Sequence, residues 1–244
     1  MLQRPDVEPQ ERTPAAPRLR KLDSFPGSLA ARTYQSLREA ILHLAYRPGE
    51  LLRKGDICAE LGVSRSPVSE AIARLAAEGL VDVVPQAGTF VARFSMAEIR
   101  EGAFLREAIE LAVIEMIAPA ITEEQLVQLR RNIRVQEALV EDADFAGFYK
   151  LDAEMHAMIL SFTGYRKLGH VAESAWLHVN RARQQVLPVP GRVAATLEEH
   201  QAILVALEAR DPDRAREELR WHLRQLMTFL VPLERERPDL FDPD

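Results

Sequence analysis

Apolar residues fall into helical spacing along most of the chain. Tyr34, Leu37, Ile41 and Leu44 share one stripe, and Arg47-Pro48-Gly49 stops it, which predicts a helix over 29–44. A short helix follows over 54–61, closed by Gly62 where a left-handed cap is needed. Ser64 is placed to cap a third helix over 65–78, with Val68, Ile72 and Leu75 on one face and Gly79 at its end. The period then changes. Residues 81–85 and 89–93 read as two short strands around a turn containing Gly88. From Met96 onward the pattern is helical again, with spans over 96–118, 122–140, 143–162, 167–184, 192–209 and 212–231. Thr122 opens the second of these, and Asp211-Pro212 gives the last a cap and a proline in its first turn.

This order predicts a mainly α fold: a winged helix-turn-helix with a small β-wing over 27–94, then an all-α helical bundle over 95–231. Residues 1–26, rich in Pro, Arg and Glu, and residues 232–244 lack apolar periodicity and are expected to be disordered tails. Cys58 is the one cysteine, which excludes an internal disulfide framework. No apolar run reaches the length of a signal peptide or a membrane span, so a cytoplasmic protein with no membrane partner is expected. The net charge of −6 speaks against nucleic acid until the chain is divided. Residues 27–94 carry 8 Lys and Arg against 7 Asp and Glu, whereas residues 95–244 carry 18 against 26. The acidity belongs to the bundle, and basic surface in the first domain depends on local clustering.

The third helix has the chemistry of a recognition helix. Its first turn offers Arg65, Ser66 and Ser69 opposite the apolar face, and that turn is the part that enters a major groove. Arg65 can bond a guanine edge bidentately, while the hydroxyls of Ser64 and Ser66 suit phosphate oxygens at a helix N-terminus. Lys54 adds a charge early in the short helix, and Gly88 is read as letting the wing tip approach the DNA backbone. The bland alternative is a small helical domain with an incidental hairpin. The run Leu61-Gly-Val-Ser-Arg-Ser-Pro-Val-Ser-Glu-Ala-Ile-Ala-Arg-Leu-Ala-Ala-Glu-Gly-Leu80, preceded by Arg47-Pro48-Gly49 and followed by Val84-Pro-Gln-Ala-Gly-Thr-Phe-Val91, is more specific. It resembles the GntR family of regulators over about residues 30–93. The resemblance implies operator DNA as a partner and repression as the commoner outcome. It keeps Arg65 and departs at Ser69, where most members have Arg. One winged helix reads a short half-site, so a homodimer on a pseudo-palindromic operator is expected.

In the bundle, Asp152 and His156 are one turn apart on the stripe of Phe145, Phe148, Met155 and Ile159. His200 lies among Leu197, Ile203, Leu204 and Leu207, and His222 among Leu219, Leu226 and Phe229. A lone histidine on an apolar face is more often a bonded core residue, and Asp152 can pair with an arginine. Four such groups on three helices are accommodated together by a divalent metal, and three imidazoles with one carboxylate suit zinc or nickel. Arg106 sits on the stripe Ile99, Ala103, Ile109, Val113, where Glu110 can satisfy it. His43, His170 and His178 stand outside the pattern.

This half resembles the FCD domain of the FadR subgroup, through Asp152-x-x-x-His156, Glu199-His200-Gln-Ala-Ile203 and Trp221-His222-Leu223. The resemblance implies metal at the four positions and an effector cavity faced by Arg106. A small organic acid is the expected effector, because a guanidinium fork matches a carboxylate. Asn180 and Arg183, near the inward face of their helix, are expected to contribute. Two alternatives remain: a purely structural metal with no effector response, and a metal-dependent hydrolase.

Overall fold

The computed structural model describes residues 17–186 and 189–243. The first domain has α1 (Leu29–Leu42), α2 (Lys54–Leu61), α3 (Arg65–Ala77), β1 (Val81–Val84) and β2 (Gly88–Val91). Gly62 closes α2 in the left-handed conformation, as its place after Leu61 predicts. The strands pair antiparallel, Val81 opposite Val91, and Leu52 donates to Thr89 to extend the ribbon. Leu37, Ile41, Ile57, Val68, Ile72, Leu75 and Leu80 form one core beneath α1 and α3. The wing corrects one expectation. Its tip is the turn 85–87, with Gln86 in the left-handed region, whereas Gly88 opens β2. Gly88 has φ +140°, and a Cβ there would stand 2.8 Å from the Leu51 side chain. The backbone conformation, more than the movable end of Leu51, favours glycine here.

The second domain has α4 (Met96–Ile117), α5 (Glu123–Glu141), α6 (Phe145–Ser161), α7 (Leu168–Ala175), α8 (Leu177–Val186), α9 (Arg192–Glu208) and α10 (Pro212–Glu236). Thr122 and Gln125 close a capping box at the start of α5. Asp211 caps α10 ahead of Pro212. The helix expected over 167–184 is two helices broken at Trp176. Before the break only Ala172 is buried; after it Leu177, Val179, Arg181, Ala182, Arg183 and Val186 are. Helix α8 runs between the two domains and is covered on more than one side. Gly102 on α4 permits the close approach, because a Cβ there would lie 2.8 Å from the Val179 side chain of α8 and 2.9 Å from the Ala175 carbonyl at the end of α7.

Both expected tails are ordered where the structure describes them; residues 1–16 and 244 lie outside the described residues. Leu19 is buried against the first domain, and Arg18 pairs with Glu50 at 2.7 Å while lying over the Tyr46 ring. At the other end α10 continues through Pro232 to Glu236. Leu240 and Phe241 are then buried against Phe94, whose amide bonds the Leu240 carbonyl at 2.9 Å. Single apolar residues and backbone bonds tie both segments down, and neither produces a period that a sequence reading detects.

Candidate functional site

Helices α6, α9 and α10 bring Asp152, His156, His200 and His222 together, with one donor atom from each within 4.8 Å of the others. All four side chains are buried. His156 Nε2 lies 3.1 Å from His222 Nε2 and 3.5 Å from Asp152 Oδ1; His200 Nε2 lies 3.2 Å from the same oxygen. The far side of each ring is committed. His156 Nδ1 meets Glu110 Oε2 at 2.5 Å, His200 Nδ1 meets Gln136 Oε1 at 2.7 Å, and His222 Nδ1 meets Glu199 Oε2 at 2.7 Å. Acceptors at Nδ1 select the tautomer whose Nε2 carries a lone pair, so three lone pairs converge. His200 Nε2 and Asp152 Oδ1 have no hydrogen-bond partner. Buried polar atoms in that condition are costly, and a divalent cation at the convergence satisfies them at once. The residues present fit such an ion.

Electrostatics agree. Burial holds His156, His200 and His222 below the ordinary histidine value, which favours neutral rings able to offer a lone pair. Burial would raise the Glu110 carboxyl, but the charge of Arg106 and the hydrogen bonds of Arg106 and His156 outweigh it and hold it below the usual range. Gln136 is itself oriented, donating to Asn132 at 2.6 Å.

Arg106 is buried on α4 and donates its Nε to Glu110 at 2.6 Å, the pairing its spacing allows. Its Nη2 is buried with no partner. Arg183 lies against Asp152 in an ion pair, and burial lowers its pKa to about 9. Beside His222 there is a cavity of about 30 Å³, lined by Arg106, Arg183, Arg192 and Thr196 among others. Arg192 and Thr196 were not expected from the sequence. Arg192 makes a two-pronged pair with Glu199 at 2.7 and 2.6 Å. Asn180 is a correction: it lines a separate groove of about 550 Å³ with Ala157 and Trp176, and its carbonyl accepts from Tyr149. Gln136 and Glu110 carried a legible signal, each a polar residue on an otherwise apolar stripe; Arg192 carried none.

In the first domain Ser64, Arg65, Ser66 and Ser69 are all exposed at the start of α3, while Pro67 and Val68 turn inward. Ser64 makes no side-chain cap bond, which leaves its hydroxyl free. Lys54 joins this surface, its Nζ 3.5 Å from Ser69 Oγ.

Helix α8 touches both domains. Leu177 enters the core of the first domain, and His178 lies against the Gly79 turn, 3.3 Å from Glu98. Arg181 donates to the Ala92 carbonyl at 2.6 Å, and Arg183 reaches Asp152.

Among known proteins, residues 29–91 match the bacterial regulatory proteins of the gntR family and residues 101–225 match the FCD domain. The chain is 31% identical to the HTH-type transcriptional repressor RspR of Escherichia coli K12, over 86% of this chain and 92% of that protein. A solved GntR transcriptional regulator from Rhodococcus sp. RHA1 is 25% identical with a TM-score of 0.74, over 84% of this chain and 99% of that one. Escherichia coli McbR/YncC, 20% identical with a TM-score of 0.73 over 85% and 99%, shares the fold. No helix among the described residues is long and apolar enough to cross a membrane.

Proposed function

The chain belongs to the GntR family of bacterial transcriptional regulators, with an FCD domain behind its DNA-binding domain; on that premise we propose a cytoplasmic repressor whose hold on operator DNA is controlled by a small carboxylate in the C-terminal bundle. The observation that carries this reading is the four-residue cluster beside a cavity that presents three arginines. Asp152, His156, His200 and His222 would hold a divalent ion, zinc or nickel by their donor set. When bound, such an ion supplies a Lewis-acidic position for a ligand oxygen. Arg106 offers its unpartnered Nη2 to the same ligand, and Arg183 and Arg192 add positive charge. The matched families are regulators, and we assign the site no turnover.

On DNA, Arg65 reads a base edge and Ser64, Ser66, Ser69 and Lys54 meet phosphates and neighbouring edges. Two copies on a pseudo-palindrome double these contacts.

The switch follows from volume. About 30 Å³ holds roughly one or two waters, so an organic acid enters only if the lining moves. A ligand carboxylate competes with Asp152 for Arg183, and Arg183 stands on the helix that also holds Leu177, His178 and Arg181 against the DNA-binding domain. The ligand thus has different affinities for two settings of α8, which is the condition for changing operator affinity. Thermal-shift screening of mono- and dicarboxylates, followed by operator release, tests the reading; a response to uncharged ligands alone would sink it.

The same small cavity favours a second reading, in which the metal only stiffens the bundle. Metal would then raise the melting temperature while no acid altered operator binding.

A further inference from the structure

Residues 92–95 join the two domains. They lie between the stretches matched to the gntR family and to the FCD domain, and residues 238–242 lie beyond both. The structure brings these two unmatched segments together. The Phe94 amide donates to the Leu240 carbonyl at 2.9 Å, and the Asp242 amide donates to the Phe94 carbonyl at 2.9 Å. Phe94 and Phe241 form a parallel bridge, with ring centroids 5.5 Å apart. Arg93 donates its Nε to the Asp239 carbonyl at 3.2 Å. Leu240 and Phe241 are buried with Ile99 of α4, Ala182 of α8 and Leu230 of α10. Arg181 of α8 holds the other side of the joint, bonded to the Ala92 carbonyl and 4.8 Å from the Phe94 ring centroid. Burial lowers the Arg181 pKa to about 10, and the charges of Asp82 and Asp242 oppose that shift.

We infer that residues 238–242 are a strap through which α10 holds the DNA-binding domain on the bundle and passes on its own movements. Domains joined by a linker move relative to one another by default. Here both backbone polar groups of Phe94 are bonded to the strap, and its ring packs against Phe241. The connection to α10 is short and stiff. The Arg237 amide bonds the Leu233 carbonyl at 2.8 Å, Pro238 fixes its own φ, and Arg237 pairs with Asp239 at 2.9 Å across a single turn. Helix α10 carries His222, so a displacement at the proposed metal site reaches the Phe94 linker along one helix and one turn. This route runs beside that of α8 and converges with it on residues 92–94. The fastening stands on the contacts above, and what moves α10 rests on the metal reading.

Hydrogen exchange followed by mass spectrometry on the full chain tests this. Wild type, F241A and D242P are compared, each loaded with zinc and with zinc removed by chelation. D242P deletes the amide that bonds the Phe94 carbonyl, and Phe241, at φ −109° and ψ 152°, already has the extended backbone that a following proline requires. In wild type the Phe94 amide should exchange slowly. Exchange over residues 92–96 should rise roughly 10-fold or more in F241A, which loses a buried ring, and roughly 3-fold or more in D242P, which loses one hydrogen bond. Amides of α3 and α5 should not change. Zinc should slow exchange around His222 in all three chains, but over residues 92–96 in wild type alone. If F241A loosens α3 and α5 as well, D242P decides. Wild-type protection over residues 92–96 in D242P would overturn the strap. Zinc that slows α10 in wild type yet leaves residues 92–96 untouched would overturn the transmission. Zinc without effect on α10 would overturn the metal reading, and the zinc-free variants would still decide whether the strap fastens the linker.

Discussion

His156 Nε2 and His222 Nε2 stand 3.1 Å apart, although each ring already has its Nδ1 committed to a carboxylate, Glu110 and Glu199 respectively. With both Nδ1 atoms protonated, two lone pairs face each other in a buried site, which a cation between them relieves. Purified protein should therefore contain near one equivalent of divalent metal per chain, measured by elemental analysis. Chelation should lower the melting temperature, because the ion binds only the assembled site. Full occupancy in the His200→Ala, His222→Ala double variant would refute the assignment.

The groups behind the ligands should matter almost as much. Gln136→Leu removes the acceptor that orients His200, and Glu199→Gln weakens the one that orients His222. Each should reduce metal affinity by roughly 10- to 100-fold with the fold retained. Competition against a chelator of known affinity measures this, and unchanged affinity in both would show that the tautomers are set otherwise.

Arg65→Ala should abolish the operator footprint while leaving helical circular dichroism unchanged, since the side chain is exposed. Lys54→Ala should instead weaken binding to all sequences alike and reduce the salt slope by about 1. A footprint that survives Arg65→Ala would move the recognition surface elsewhere.

Ligand binding and its transmission should separate by mutation. Arg106→Ala should keep metal and operator binding but lose acid-induced release. Arg181→Met should keep the ligand-induced thermal shift yet lose release, because α8 is no longer tied to the Ala92 carbonyl. Little loss of stability is expected, since Arg181 is a buried cation whose Nε and Nη1 have no partners. Normal release by Arg181→Met would place the coupling on another element.

His178 should contribute an acid-side loss of stability. Burial lowers its pKa, and Glu98 opposes this incompletely. The unfolded state then binds the proton more tightly. Stability present above about pH 6.5 is lost as pH falls toward the lowered folded value. Melting curves of metal-loaded wild type and His178→Gln should converge in this range as pH falls. A pH-independent difference would mean that folding leaves the His178 pKa unchanged.

Local chemistry made much of this protein readable in one dimension. Gly62 ends α2 because its left-handed conformation needs no side chain, and Thr122 with Gln125 starts α5 by bonding within four residues. The buried four-residue cluster was legible because Asp152 and His156 are one turn apart, and His200 and His222 interrupt stripes that are otherwise apolar. Periodicity reports which face of a helix is apolar, but not what covers it. For that reason the break at Trp176, the docking of Leu19 and Phe241, and the turning of Asn180 toward another groove were decided only in three dimensions. The same holds for the bonds of Glu110, Gln136 and Glu199 to the histidine rings and for Arg183 against Asp152, which join residues 23 to 64 positions apart. Such contacts depend on the backbone bringing distant helices together, and no local pattern along the chain encodes that.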